Sequence, residues 1–139
     1  MAAENWTAQL HIVGGAASED APEIAYATRR DHRGRSASLY ILAEPDRPGS
    51  EPFIGELVSR IGEEFLEGEG SLTGTLKRVV QNRHEELLGW NRTSLPRDQA
   101  SYGLSCLIVR EGEIFLMQIG PCLAYYRSGE RLLKQLDFF

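Results

Sequence analysis

The chain has 139 residues, with 15 lysines and arginines against 20 aspartates and glutamates, a formal net charge of −5 at pH 7. One domain of this length can bury a core of its own, and the acidic balance argues against a nucleic-acid partner. The apolar runs are too short to cross a membrane, and the first residues lack the basic and apolar regions of a signal peptide. The sequence therefore predicts one cytoplasmic domain over residues 1–139, without membrane contact.

The first part of the chain predicts three β-strands. Each candidate alternates apolar and polar residues and is bounded by glycine, proline or charged turn residues, which is the usual signature of a strand. The three predicted strands cover residues 7–13, 23–29 and 36–43.

Two amphipathic helices are predicted next, because apolar residues recur at steps of three and four. The first helix begins at Ser50, a suitable N-cap, and ends at the glycines of residues 68–70. The second begins near Ser71, and Gly89 is expected as the residue after its C-terminal end. Both helices are one-sided, so each is expected to pack on a sheet.

A polar loop is predicted over residues 91–103, followed by a meander of short strands. The meander turns at Glu111-Gly112, bends at a corner formed by Gly120-Pro121 and turns again at Ser128-Gly129. Strands followed by helices and then strands favour an α+β fold with a largely antiparallel sheet. The four strands of the meander are predicted at residues 104–109, 114–119, 122–127 and 131–136.

The residue types that most often carry chemistry show no motif. A hairpin at residues 111–112 would place Cys106 opposite Met117 and away from Cys122, so both cysteines are interpreted as reduced, small apolar residues. The three histidines are widely separated and are interpreted as structural or solvent-facing. No nucleophile motif, phosphate-binding loop or cysteine-pair metal motif is present in the sequence, so no catalytic residue is assigned.

Residues 102–136, YGLSCLIVREGEIFLMQIGPCLAYYRSGERLLKQL, resemble a stretch of the metal-dependent serine/threonine protein phosphatases, the PPM or protein phosphatase 2C-like family. In that family a strand, a hairpin, a second strand, a Gly-Asp-Ser-Arg corner and a further strand follow one another. The segments LYILAEP and SED resemble the family's first Asp-Gly strand end and its early Asn-Glu-Asp. The resemblance covers nearly the whole chain and about the first half of the family's domain. It implies an antiparallel β-sandwich with a pair of antiparallel helices packed outside one sheet.

The resemblance also implies a metal site. The family hydrolyses phosphomonoesters with two divalent cations, Mn²⁺ or Mg²⁺, held by hard oxygen ligands. Its bridging aspartate falls on Glu44 of this chain, and the early acidic pair falls on Glu19 and Asp20. These three carboxylates are the implied metal ligands. The glycine whose carbonyl helps to bind metal falls on Pro45, where the proline ring restricts the backbone.

Other key positions of the family are replaced. The corner aspartate falls on Pro121, the Ser-Arg pair that follows falls on Cys122-Leu123, and the phosphate-binding arginine falls on Gly15. None of these side chains can supply the chemistry of the residue that it replaces. The resemblance therefore implies a degenerate phosphatase-like domain whose metal-dependent hydrolysis is lost or strongly reduced, and which then needs no metal cofactor.

The expected role is regulatory, by binding a phosphoprotein or another signalling partner. Two alternatives are the N-terminal part of an active metal-dependent serine/threonine phosphatase, and an unrelated α+β interaction module. Half a sandwich would leave sheet edges and one apolar face uncovered. The sequence therefore predicts a homodimer or a partner chain that buries Phe138, Phe139 and Phe115.

Overall fold

The structure is a computed structural model that describes residues 6–47, 50–120 and 124–135. Strands precede and follow a pair of helices, so the predicted α+β class is confirmed. The elements in chain order are β1 (Ile12–Val13), β2 (Ala16–Ala17), β3 (Ile24–Arg30), β4 (Ser36–Pro45), α1 (Glu51–Glu67), α2 (Leu72–Thr93), a single 3₁₀ turn (Pro96–Asp98), β5 (Tyr102–Arg110), β6 (Glu113–Ile119), β7 (Tyr125–Ser128) and β8 (Arg131–Gln135).

Four strands form the main sheet, in the order β3-β4-β5-β6, and every neighbouring pair is antiparallel. Both hairpins of this sheet turn at a glycine with positive φ, Gly34 and Gly112. The register places Cys106 opposite Met117, as predicted. The two-stranded ribbons β1–β2 and β7–β8 are the other pairings within the described residues. The predicted strands at 23–29, 36–43, 104–109 and 114–119 are confirmed, with small shifts at their ends.

Both predicted helices are confirmed, and only the predicted end of the second helix at Gly89 is wrong. Ser71 caps α2, because its hydroxyl accepts the Gly74 N–H at 3.1 Å. Ser50 stands before α1 with helical backbone angles and makes no side-chain cap hydrogen bond. Gly89 lies inside α2, which continues through it to Thr93, because a glycine within a helix costs too little to end one that packing supports.

The predicted strand at 7–13 is wrong for most of its length. Only Ile12–Val13 forms a strand, and it pairs with Ala16–Ala17. Gly14 and Gly15, both with positive φ, turn the chain back after those two residues. An alternating pattern becomes a strand only where a partner supplies the ladder, so the residues before Ile12 stay outside any sheet. The predicted loop at 91–103 is also shorter than expected, because α2 and the 3₁₀ turn occupy part of it.

The hydrophobic core lies between one face of the main sheet and the two helices. Alternate residues of β4 and β5 point toward the helices, which is the period-two pattern of a half-buried strand. The helices contribute residues at steps of three and four from their inner faces. The largest fully buried side chains are Leu39, Ile41, Ile54, Val58, Ile61, Phe65, Val80, Leu104 and Ile108.

The other side of the main sheet, called here the open face, carries the residues that alternate with the core. Large apolar side chains on it are exposed to solvent, including Tyr26 at 61% and Ile114 at 64%. The helices pack on the opposite side, and α1 contacts both β3 and β4. The open face consists of Ile24, Tyr26, Thr28, Arg30, Ser36, Ser38, Tyr40, Leu42, Glu44, Gly103, Ser105, Leu107, Val109, Ile114, Leu116 and Gln118.

Candidate functional site

The three carboxylates implied as metal ligands lie at the surface. Glu19 and Asp20 follow β2 and are exposed, and Glu44 is exposed near the end of β4 opposite Gly103. Across residues 6–47, 50–120 and 124–135, no three histidine, cysteine, aspartate or glutamate side chains are grouped so as to hold a metal ion. The described structure therefore does not unite Glu19, Asp20 and Glu44 in such a group.

The remaining positions of the implied site divide between the described and the undescribed parts of the chain. Gly15 lies in the turn between β1 and β2 with φ +82°, and Pro45 is the last residue of β4, opposite Tyr102. The other implied or predicted residues, Pro121, Cys122, Leu123, Phe138 and Phe139, lie outside the described residues.

His11 connects the loop after the N-terminal ribbon to β3. Its Nδ1 donates to the Asp20 carbonyl oxygen at 2.8 Å, and its Nε2 lies 3.5 Å from a carboxylate oxygen of Glu23. The Glu23 carbonyl in turn accepts the Ala43 N–H at 2.9 Å. The contacts hold the segment that carries Glu19 and Asp20 against the main sheet, which agrees with a structural role for this histidine.

The corner after β6 requires a glycine. Gly120 has φ +73°, and a Cβ added to it would lie 2.8 Å from the Tyr102 carbonyl oxygen and 3.3 Å from the Gly103 Cα. Only glycine combines that φ with so close an approach of two backbones. The corner is therefore packed directly against the start of β5, beside the position that Glu44 occupies on β4.

Asp31 is a buried carboxylate whose pKa is strongly shifted. It begins the β3–β4 turn with a side chain only 1% exposed. One oxygen accepts the Arg33 and Arg35 N–H groups at 2.8 and 2.9 Å, and the other accepts Arg35 Nε at 2.8 Å and Arg110 Nη1 at 3.2 Å. Burial alone raises the pKa of Asp31, but the two N–H groups and the Arg35 guanidinium outweigh it and lower the pKa to about 2.

A carboxylate with all of these partners holds a turn together and has little capacity left to bind a ligand. Sequence reasoning missed this residue. The signal was present in the DHRGR turn, because aspartate at the start of a turn commonly accepts backbone N–H groups two or more residues later.

Arg29 is a second partly buried charge, on the core side of β3. Its guanidinium donates to the carbonyl oxygens of Phe65, Gly68 and Gly70 at the end of α1, and it stacks 4.8 Å from the centre of the Phe65 ring. Burial and the nearby Arg78 charge lower the pKa of Arg29. The carbonyls at a helix C-terminus carry partial negative charge, so Arg29 serves as a clamp on α1 and is not available for a phosphate group.

A groove of about 450 Å³ lies between the two helices. Two ion pairs join the helices, Arg83 to Glu64 at 3.2 Å and Arg60 to Glu86 at 3.3 Å, and Arg83 also contacts Glu86 on its own helix at 2.9 Å. Arg60, Arg83 and Glu86 of the groove are therefore already paired with opposite charges. Its lining residues are Phe53, Glu56, Leu57, Arg60, Arg83, Glu86, Leu87 and Trp90.

The open face is a broad, partly exposed apolar surface. One row of side chains crosses all four strands, because Tyr26 pairs with Tyr40, Tyr40 with Leu107, and Leu107 with Leu116. The rings of Tyr26 and Tyr40 lie 5.1 Å apart, and hydrogen bonds with Ser38 and Thr28 lower the pKa of Tyr26.

The rows on either side of it add further apolar side chains from each strand. A trough of about 1040 Å³ runs over this surface. Residues 6–10 line the trough and stay exposed, with Trp6 at 88% and Leu10 at 74%. Patches of this kind on a protein surface mark sites of interaction.

Comparison with protein-family models, with curated proteins and with solved structures found no match to this chain. Among the described residues, neither helix combines the length and the apolar character needed to span a membrane.

Proposed function

We propose that this chain is a degenerate PPM-type serine/threonine phosphatase-like domain that acts by binding another protein and has lost, or strongly reduced, metal-dependent phosphoester hydrolysis. The arrangement that supports it is a four-stranded antiparallel sheet with two helices outside one face. In this proposal the sheet and its helices correspond to one half of the family's β-sandwich. The open face corresponds to the side on which the family carries its second sheet.

The observation that carries the binding role is the open face. A solvent-facing sheet surface is normally polar, with apolar residues only on the core side. Here the central row is apolar in all four strands, Tyr26, Tyr40, Leu107 and Leu116, and no formal charge interrupts it. A surface of this composition is stabilised when another apolar surface covers it.

The proposed loss of hydrolysis is motivated by the residues at the implied metal positions. Two-metal hydrolysis needs carboxylates that converge on a pair of cations. Glu44, Glu19 and Asp20 are exposed and are not gathered into one group, and Pro45 follows Glu44 where the family has glycine. The buried Asp31 carboxylate, which lies elsewhere, is engaged by two backbone N–H groups and two arginines.

Titration with Mn²⁺ and Mg²⁺ by calorimetry, with p-nitrophenyl phosphate hydrolysis followed in the same samples, tests the proposal. We expect no binding of a pair of cations and no metal-dependent turnover above the rate of a Glu44→Ala control. Binding of two Mn²⁺ ions, with turnover that the Glu44→Ala change abolishes, would contradict the proposal and favour the N-terminal part of an active phosphatase.

A further inference from the structure

The open face has an unusual distribution of charge. A quarter of the chain's residues are charged, but on this face only Arg30 and Glu44 carry a formal charge at pH 7. Arg30 lies at the end of the face next to the β3–β4 turn, and Glu44 lies at the other end, opposite Gly103. The face therefore has an uncharged centre with one positive end and one negative end.

We propose that the occupant of the open face is a second copy of this chain, bound face to face with its strands antiparallel to those of the first. This inference rests on the proposed function, because it names the partner of the same surface. Two sheets pack through apolar faces when their strands lie within about 30° of a common direction. A second copy supplies a matching apolar face, with four strands of the same lengths.

The symmetry of such a pair follows from the register. A two-fold axis that crosses the strands at the central row places the row of Tyr26, Tyr40, Leu107 and Leu116 against the same row of the partner. The same axis reverses the strand direction, so the Arg30 end of one copy lies over the Glu44 end of the other. An axis parallel to the strands would instead stack like ends on like ends. Charge complementarity therefore favours the antiparallel arrangement.

The open face is also the surface at which electrostatic repulsion between two acidic copies is smallest. Each chain carries a net charge of −5, and repulsion between copies is weakest where the facing surfaces are themselves neutral. Residues 6–10 line the trough together with the open face, and Trp6 and Leu10 are themselves exposed there. We expect a weak association, with a dissociation constant on the order of 10 μM.

The first test is the association state of the whole chain, measured by sedimentation equilibrium over a range of concentrations. The wild type is expected to dimerise, and Leu107→Asp is expected to weaken the dimer at least about tenfold, because it buries a carboxylate at the centre of the interface. Leu66→Asp is the matched control, since Leu66 is a 48% exposed leucine on α1, and its dimer should match the wild type. Circular dichroism checks that each variant is folded.

A charge exchange tests the antiparallel arrangement with surface substitutions that carry little folding risk. Arg30→Glu and Glu44→Arg should each weaken the dimer by roughly three- to tenfold. Either change places two charges of the same sign opposite each other at both ends of the symmetric interface. The double variant should return to within about twofold of the wild type, because it restores opposite charges. These variants decide the question even if Leu107→Asp does not fold.

Three results would overturn the inference. The first is a wild-type chain that is monomeric at about 200 μM, which is well above the expected dissociation constant. The second is a dimer whose dissociation constant Leu107→Asp leaves unchanged. The third is a double charge variant that dimerises no more tightly than either single variant. Hydrolysis assayed on the same samples keeps the two proposals separate. Metal-dependent turnover would contradict the proposed function and leave the dimer standing, whereas a monomer would remove the dimer and leave the hydrolysis result unchanged.

Discussion

Asp31 shows how one side chain can join segments that are far apart in sequence. Its carboxylate closes the β3–β4 turn through the Arg33 and Arg35 N–H groups, and it also accepts from Arg110 at the end of β5. Arg110 continues the network to Glu113 in β6. Three strands of the main sheet are therefore tied together at one end by a single buried acid.

The low pKa of Asp31 makes the free energy of unfolding depend on pH in the acid range. Its folded pKa of about 2 lies below the ordinary value of 3.8, so the ionised side chain stabilises the fold above pH 3.8, and this contribution disappears as the pH falls toward 2. Asp31→Asn is expected to be less stable at pH 7 and to lose less stability between pH 4 and pH 2. Urea unfolding at a series of pH values measures both effects. Asp46→Asn, at an exposed position, is the control and should keep the wild-type acid dependence.

Gly120 is a second position where one residue determines local geometry. Its positive φ and its closeness to the Tyr102 carbonyl exclude a side chain. Gly120→Ala is therefore expected to destabilise the chain by about 2 kcal/mol, measured by urea unfolding. Gly89→Ala is the matched control of opposite sign. Gly89 lies within α2 with open space around its Cβ position, so alanine there should stabilise by about 0.5–1 kcal/mol. An equal effect of the two changes would contradict the described corner.

At the scale of the elements, the two helices begin in different ways although both follow a serine. The Ser71 hydroxyl accepts the Gly74 N–H, whereas Ser50 makes no such bond. The far end of α1 is held by Arg29 from β3, so α1 is fixed at its C-terminus by a side chain of the sheet. The stability of α1 thus depends on tertiary contacts more than on its cap.

Substituting the two serines tests this difference. Ser71→Ala is expected to lower the free energy of unfolding by about 1 kcal/mol, because it removes a cap hydrogen bond. Ser50→Ala should change it by less than about 0.5 kcal/mol, because no side-chain cap is lost. Chemical denaturation of both variants beside the wild type provides the comparison. A larger loss from Ser50→Ala than from Ser71→Ala would show that the assignment of the caps is wrong.

Most elements could be predicted from the sequence because their patterns report burial directly. In β4 the two-residue alternation buries Leu39 and Ile41, and in α1 the helical spacing buries Ile54 and Ile61. Both patterns arise because each element packs against one core. The predicted strand at 7–13 failed because alternation says nothing about whether a partner strand is within reach. Gly89 misled for a similar reason, since tertiary packing overrides the weak preference of one residue.

At the scale of the whole molecule, the candidate site was predicted less fully than the fold. The exposure of an apolar sheet face was anticipated from the resemblance, because half a sandwich leaves one apolar face uncovered. The Asp31 network was not, because Arg110 is 79 residues away and the sequence does not show that the turn and β5 meet. The implied ligands Glu19, Asp20 and Glu44 came from the resemblance alone, and their metal binding remains a prediction.

The positions of the two tryptophans have a consequence for optical measurements. Trp6 and Trp90 are the only tryptophans of the chain, and they are 88% and 60% exposed. The folded chain should already emit as solvated indole does, so denaturation will change the wavelength of its fluorescence only slightly. Trp6 lines the trough over the open face, whereas Trp90 lies on α2 beside Asp98. A blue shift on concentrating the protein, absent in Trp6→Phe, would therefore be an optical signature of a covered open face.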